Sequence, residues 1–419
     1  MSLYKSEFLH ILSERGFLHD CTDTEQLDQL AKTGKICGYI GFDCTAPSLH
    51  VGSLVQIMML RWLQKTGHKP FVLIGGGTTK IGDPAGKDES RKILDSQDIS
   101  HNGQELQKIF ASYLTFGDGS DDAMMVDNSE WLNNLNYIEF LREIGVHFSI
   151  NRMLSYDSVR LRLERQHSLS FIEFNYMLLQ AFDFLELYKK FGVQLQMGGS
   201  DQWGNIVNGI DLIRRVAQQE SFGITSPLLV TADNKKMGKT EKGAIWLKAS
   251  MLSPYEFWQF WRNVADADAI RFLKLFTELP IDEIERLEQL KGQEINEAKK
   301  ILATHVTALA HGKQAAELAE ITALQTFEQQ KDSDTLPTIC ISRDAFTKNQ
   351  TLAHFLVTAQ LCPSIKQAKR LVEGGGVRIN GSHIDKSSMP ITENNIQNGC
   401  IRVSIGKKQH VIVKLANTL

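Results

Sequence analysis

Three stretches in the first 243 residues gather groups that handle phosphate. "GYIGFDCTAPSLHVGS" (38–53) delivers Asp43, Thr45, His50 and Gly52 between a strand-like run and a long apolar segment. The first turn of a helix offers free N–H groups and the positive end of its dipole, so an anion can seat there. Glycine lets a phosphate approach the backbone, and an imidazole and a hydroxyl can donate to its oxygens. "GGGTTKIGDPAGKDESR" (75–91) adds Asp83, Lys87 and Arg91. "NKKMGKTEKG" (234–243) places Lys236 and Lys239 on either side of a glycine. Such a loop can carry two ammonium groups to a polyphosphate and withdraw after reaction. The pattern is not a P-loop, because Gly82 to Lys87 is one residue too short and Asp88 stands where the hydroxyl belongs. Taken singly, each stretch also fits a solvated loop.

Two further stretches suit an organic substrate. In "FIEFNYMLLQAFDFLELYKK" (171–190), Tyr176, Gln180 and Asp183 fall at i, i+4 and i+7, one stripe of an otherwise apolar helix. Buried polar groups need partners, and an internal hydrogen-bond network or a ligand would serve equally. "QMGGSDQWGN" (196–205) reads as strand, glycine turn and helix start, with Asp201 and Gln202 beside the helix N-terminus.

The elements that must position these groups alternate between short apolar runs and helical patterns through about residue 230, which predicts βαβ units and a parallel sheet. The clearest unit is a strand over 35–42, a helix over 53–67 and a strand over 70–77, the helix stopped by Lys65, Gly67 and Pro70. A right-handed crossover brings Asp43 and Gly75–Gly77 to one carboxyl edge, where open α/β sheets bind ligands. Alternation along the first strand turns Tyr39, Gly41 and Asp43 to one side. Residues 254–330 read as successive helices, and 331–347, continuing the polar "QQKDSDTLP" (329–337), as a linker. Residues 348–419 read as two short helices and a hairpin turning at Asn380-Gly381. Lys366, Lys369 and Arg370, at i, i+3 and i+4, make one basic helix face.

Composition narrows the classes. At 419 residues the chain suits two or three domains, and no apolar run approaches the roughly 18 residues that cross a bilayer. The acidic, amphipathic first twenty residues do not resemble a secretory or transit signal, so a cytoplasmic location is expected. Cysteines at 21, 37, 44, 340, 362 and 400 form no C-x-x-C pair, which indicates neither a disulfide framework nor a zinc site. Net charge is −3, yet residues 338–419 hold eleven Lys and Arg against four Asp and Glu, +7, leaving −10 for residues 1–337. A small basic module follows a large acidic one.

Taken in order, "DCTAPSLHVGS", "GDPAGK", "YMLLQAFDF", "GGSDQWGN" and "KMGKT" resemble the class I aminoacyl-tRNA synthetases, and among them the bacterial-type tyrosyl enzymes, over the whole chain. The last module is similar to their S4 RNA-binding domain. The resemblance implies a Rossmann-like parallel-sheet catalytic domain over 1–230, with an insertion near 125–165 that forms a homodimer interface. A Lys-Met-Ser-Lys-Ser-type loop region over 231–253, a helical anticodon-binding domain over 254–330 and an α+β S4-like domain over 348–419 would follow. It implies that Tyr39 and Asp183 read a phenolic hydroxyl, and that Tyr176, Gln180 and Asp83 take the α-ammonium of L-tyrosine. Thr45 and His50 would hold the γ-phosphate of Mg2+-bound ATP, and Lys87, Arg91, Lys236, Lys239 and Thr240 would neutralise the departing pyrophosphate. Asp43, Gly52, Ser53, Asp201 and Lys239 would bind the nucleotide, with Gln202 at the adenylate end of tyrosine. Lys366, Lys369 and Arg370 would meet tRNA, and no resident metal is implied.

The family signature ends His-x-Gly-His, whereas here Ser53 follows Gly52, which leaves the ribose contact shortened, water-filled or taken over by Gln56. Tryptophanyl synthetases and small nucleotidyltransferases share parts of the pattern, but Tyr39 with Asp183, and the S4-like module, argue against them. A non-catalytic RNA-binding protein on the same scaffold is the alternative from another class, and Ser53 alone favours it.

Overall fold

In the computed structural model, six strands form one sheet in the order β1-β6-β5-β2-β3-β4. They are β1 (Asp20–Cys21), β2 (Cys37–Phe42), β3 (Lys69–Ile74), β4 (Met124–Asp127), β5 (Leu195–Gly199) and β6 (Phe222–Ser226). All neighbours run parallel except β1, which pairs antiparallel with β6. The residues described are 4–83, 94–232, 237–240, 243–327, 336–348, 351–397, 399–406 and 409–416.

Strand order reverses between β2 and β5. From β2 the chain steps outward to β3 and β4, and from β5 it steps the other way to β6. The loops leaving β2 and β5 therefore diverge and open a crevice at the carboxyl edge. Helix Leu54–Lys65 makes the first crossover and stops before Gly67, whose φ of +83° favours glycine. Helix Phe171–Phe191 makes the return crossover. Ser170 and Glu173 close a capping box at its start, and Gly192 ends it in the left-handed region. Its inner face buries Phe182, Phe184 and Leu185 against Tyr39, Phe71 and Leu73 of the sheet.

Residues 1–252 and 264–302 make one compact unit, and residues 253–263 and 303–419 a second. Arg15 shows why 264–302 groups with the sheet. Its guanidinium donates to the carbonyls of Lys274 (3.1 Å), Thr277 (2.9 Å) and Leu279 (2.6 Å), closing helix Asp266–Phe276, and lies 4.4 Å over the Trp62 ring. The elements of the region 254–327 are all helices, as its pattern predicts.

The second unit ends in a five-stranded sheet ordered Ser382–Ile384, Val377–Ile379, Cys400–Ile405, Gln409–Ala416 and Thr338–Ser342. Helices Leu352–Thr358 and Ile365–Glu373 pack on it through Phe355, Leu356, Ala368 and Val372. Asn380 and Gly381, at φ +49° and +83°, supply the predicted tight turn. Two expectations change in detail. Thr338–Ser342 is an edge strand paired in parallel with Gln409–Ala416 and Arg343–Lys348 is a helix, so this part of the expected linker is folded. Met124–Asp127, expected in an insertion, is β4 of the main sheet, hydrogen-bonded to β3.

Candidate active site

The crevice between β2 and β5 opens into a cavity of about 420 Å³. Tyr39, Asp43, Thr45, His50, Gly52, Ser53, Asp83, Tyr176, Gln180, Asp183, Asp201 and Gln202 all line it, so residues spread over some 160 positions converge. Lys87, Arg91 and Lys236 lie outside the described residues. Lys239 and Thr240 form a two-residue strand paired with Gly243–Ala244.

At the closed end sits Asp183, 2% exposed. Its carboxylate accepts from Trp131 Nε1 at 2.7 Å and Asn128 Nδ2 at 2.9 Å. Burial pushes its pKa up to about 7; the two hydrogen bonds oppose that shift, and the charges of Asp43 and Asp127 add to it. Tyr39, also buried, packs its ring 5.3 Å from Phe184, and its hydroxyl has no hydrogen-bond partner. Burial and then Asp183 hold that phenol well above its ordinary range, so it is a neutral donor. A buried donor without a partner beside a buried acceptor suits a small ligand bearing a hydroxyl.

From Asp183 one network runs to the mouth. Asn128 Nδ2 also donates to Thr78 Oγ1 (3.1 Å), and its Oδ1 accepts from the Gly77 N–H (2.8 Å). Thr78 Oγ1 and the Tyr176 hydroxyl both donate to Asp43 Oδ1, at 3.0 and 3.3 Å. Gly75 must lack a side chain, since a Cβ there would stand 2.5 Å from Asp43 Oδ1. Across the cavity, Gln202 Nε2 donates to Asp83 Oδ2 (2.7 Å), and Asn205 Nδ2 donates to Gln180 Oε1 (2.8 Å) and Gln202 Oε1 (3.1 Å). Acidic and amide oxygens facing a half-buried space suit a cationic group.

The other end suits an anion. His50 caps the short turn Val51–Ser53, its Nδ1 accepting from the Gly52 N–H at 3.0 Å. An accepting Nδ1 puts the ring proton on Nε2, which can then donate to a ligand. A Cβ on Gly52 would lie 2.6 Å from His50 Cε1, so glycine is required. Ser53 makes no side-chain cap to helix Leu54–Lys65, while Gln56 lines the cavity and donates weakly to Ser226 Oγ at 3.4 Å. Cys44 is buried behind the loop with its pKa pushed up to about 12 by burial, so it is a packed thiol and no nucleophile. Among the described residues, no group of three or more His, Cys, Asp or Glu could hold a metal.

Three contributors escaped sequence reasoning. Asn128 and Trp131 follow β4, and Thr78 follows β3; all stand on the carboxyl edge. A polar "DNSEW" after a four-residue apolar run was the available signal. In the second unit, Lys366, Lys369 and Arg370 are exposed on helix Ile365–Glu373, opposite its buried Ala368 and Val372.

Residues 31–328 match the model of the class I tRNA synthetases for tryptophan and tyrosine (W and Y), and residues 350–396 match the S4 domain. The chain is 56% identical over 417 residues to a tyrosine–tRNA ligase of Brucella abortus (strain 2308), covering 99% of this chain and 100% of that one. It is 58% identical over 414 residues to the tyrosine–tRNA ligase of Beijerinckia indica, covering 98% of each. Among solved structures, a C-terminally truncated mitochondrial tyrosyl-tRNA synthetase of Aspergillus nidulans is 33% identical with a TM-score of 0.69, over 77% of this chain and 94% of that one. The tyrosyl-tRNA synthetase of Archaeoglobus fulgidus complexed with L-tyrosine shares the fold at 20% identity, with a TM-score of 0.54, over 75% of this chain and 100% of that one. The chain therefore belongs to the tyrosine–tRNA ligase family of class I aminoacyl-tRNA synthetases.

Proposed function

We propose that the protein joins L-tyrosine to its tRNA in two steps at this cavity. The observation that carries the choice of amino acid is the buried pair at the closed end: Asp183 held by Asn128 and Trp131, and Tyr39 with an unpartnered hydroxyl. A phenolic hydroxyl there donates to Asp183 and accepts from Tyr39. Phenylalanine would leave the Tyr39 hydroxyl unpaired, at about 1–3 kcal/mol for a buried group, and would deny Asp183 a third donor. Tyr176, Gln180 and Asp83 then take the α-ammonium, with Gln202 holding Asp83 in place.

In the first step a tyrosine carboxylate oxygen attacks the α-phosphorus of ATP, and the bond to the β-phosphate oxygen breaks to release pyrophosphate. The carboxylate is already ionised at neutral pH, so no general base is needed, and positioning with charge stabilisation supplies the rate. Thr45 and His50 donate to the γ-phosphate, and Lys87, Arg91, Lys236, Lys239 and Thr240 take the leaving pyrophosphate. Asp43, Gly52, Ser53 and Asp201 hold the nucleoside end. Mg2+ arrives with ATP as part of the substrate. In the second step a hydroxyl of the 3′ adenosine of the tRNA attacks the tyrosyl carbonyl and AMP leaves. Lys366, Lys369 and Arg370 contact tRNA phosphates.

We read residues 1–230 as the catalytic domain, 231–253 as the lysine-loop region, 254–330 as the anticodon-binding helices and 348–419 as the S4-like domain, acting in the cytoplasm. The assembly is a homodimer. What supports this is the number of large apolar side chains exposed in the segment after β4, among them Ile138 (69%), Val146 (69%), Ile150 (63%) and Phe171 (67%). ATP–pyrophosphate exchange with each amino acid supplied separately is the test. Exchange with tyrosine alone is expected; exchange with tryptophan would reassign the closed end, and none at all would favour a non-catalytic RNA-binding scaffold.

A further inference from the structure

The loop that carries His50 does not hold its imidazole unaided. Beyond Lys239–Thr240, the chain returns through Ile245–Lys248 and lies antiparallel to Leu49–Val51. Val51 N–H donates to Ile245 O (3.0 Å), Leu247 N–H to Leu49 O (2.9 Å) and Lys248 N–H to Ser48 Oγ (3.1 Å). His50 and Trp246 face each other across this bridge, their rings edge-on at 6.3 Å. Gly238, at φ +101°, approaches the same imidazole: a Cβ there would lie 3.0 Å from His50 Nδ1 and 3.1 Å from the Gly52 nitrogen. Lys248 Nζ pairs with Glu105 Oε2 at 2.5 Å, fixing the return segment to helix Ser96–Phe110. Gly52, Gly238 and Trp246 thus confine the ring, and two of the three belong to the lysine-loop region.

We propose that Trp246 is a positioning residue for the activation step, holding His50 in the orientation and tautomer that donates from Nε2 to phosphate. The inference rests on the two-step reading above and adds a dependence to it. The segment that follows Lys239–Thr240 in the chain is thus also the one that orients the donor on the first loop. Trp246 touches the ring and not the closed end of the cavity, so its influence falls on the phosphate side.

The test is Trp246→Leu and Trp246→Phe, each alone and combined with His50→Asn. Trp246→Leu should lower the kcat of tyrosine-dependent pyrophosphate exchange about tenfold to a hundredfold, less than the roughly 10²–10³ lost when one preorganised donor is removed outright. The KM for tyrosine should stay within about twofold, transfer from preformed tyrosyl-adenylate should be unchanged, and Trp246→Phe should recover most of the loss. In the His50→Asn background the same substitution should cost almost nothing, because groups acting through one another are not additive. An equal loss in both backgrounds, or a parallel decline in tyrosine KM and transfer, would overturn the proposal. Where Trp246→Leu does not fold by circular dichroism, Gly238→Ala reaches the same ring and must give the same pattern. Absence of exchange in the unmodified protein would instead sink the functional reading.

Discussion

Replacing Asp183 by asparagine should abolish a pH dependence of tyrosine recognition that the parent protein must show. Burial lifts the Asp183 carboxyl to about 7. A phenolic hydroxyl donates well only to the ionised carboxylate, so tyrosine binding must displace any proton held there. Between pH 8 and pH 6 the ionised fraction falls from about nine-tenths to about one-tenth, which weakens tyrosine about tenfold, or ~1.4 kcal/mol. The sign follows from the direction of the shift: affinity is full above about pH 7 and declines below it. Phenylalanine, lacking the hydroxyl, reports every other titration in the pocket, so the ratio of the two affinities isolates Asp183. Isothermal titration of both amino acids at pH 6, 7 and 8 should give a ratio that shrinks about tenfold on acidification. Asp183→Asn should bind tyrosine weakly at a ratio independent of pH. A constant ratio in the parent protein, or an unchanged slope in Asp183→Asn, would refute the assignment of Asp183 as the hydroxyl acceptor.

Trp131→Phe removes one of the two donors that oppose the upward shift. It should move the midpoint of that profile further up and cost about 1–3 kcal/mol of stability through the unpaired Asp183 Oδ1, as read by the same titrations and by chemical denaturation. Ile138→Asp with Phe171→Asp should convert a dimer at micromolar concentration into a monomer by light scattering; a parent protein that is already monomeric would overturn the interface reading. Reversing Lys366, Lys369 and Arg370 to glutamate should weaken tRNA binding and flatten its dependence on log salt by up to about 2–3, at roughly 0.7–0.9 for each phosphate no longer neutralised. An unchanged slope would remove that helix face from the RNA interface.

Much of the architecture was legible because the informative segments are long or strongly punctuated. The run from Lys35 to Gly77 carries a buried strand, an amphipathic helix with clear stop residues and a second buried strand, and it folds as β2, helix Leu54–Lys65 and β3. The stripe Tyr176, Gln180 and Asp183 reaches the cavity because a capped helix of 21 residues has little freedom in which face it buries. Short elements were hidden. β4 spans four residues, too few to display a period, so its polar tail read as part of an insertion and Asn128 and Trp131 were missed. Trp246 escaped for a different reason: it meets His50 across a single bridge between segments almost 200 residues apart, and no local pattern encodes such a partner. Thr338–Ser342 looked like linker because it pairs only with the last strand of the chain.

Asn128 divides one amide between both halves of the cavity, and this constrains anyone who would recode the enzyme for a para-substituted phenylalanine. Exchanging Asp183 for an apolar residue strands two donors, Trp131 Nε1 and Asn128 Nδ2. An unanchored Asn128 also loosens its grip on Gly77 and Thr78, and through Thr78 on Asp43, which we propose holds the nucleotide. Broadened amino-acid choice would then come with slower adenylation. The unit of redesign is the set Asp183, Asn128 and Trp131 changed together, with a replacement at 128 that still accepts from the Gly77 N–H.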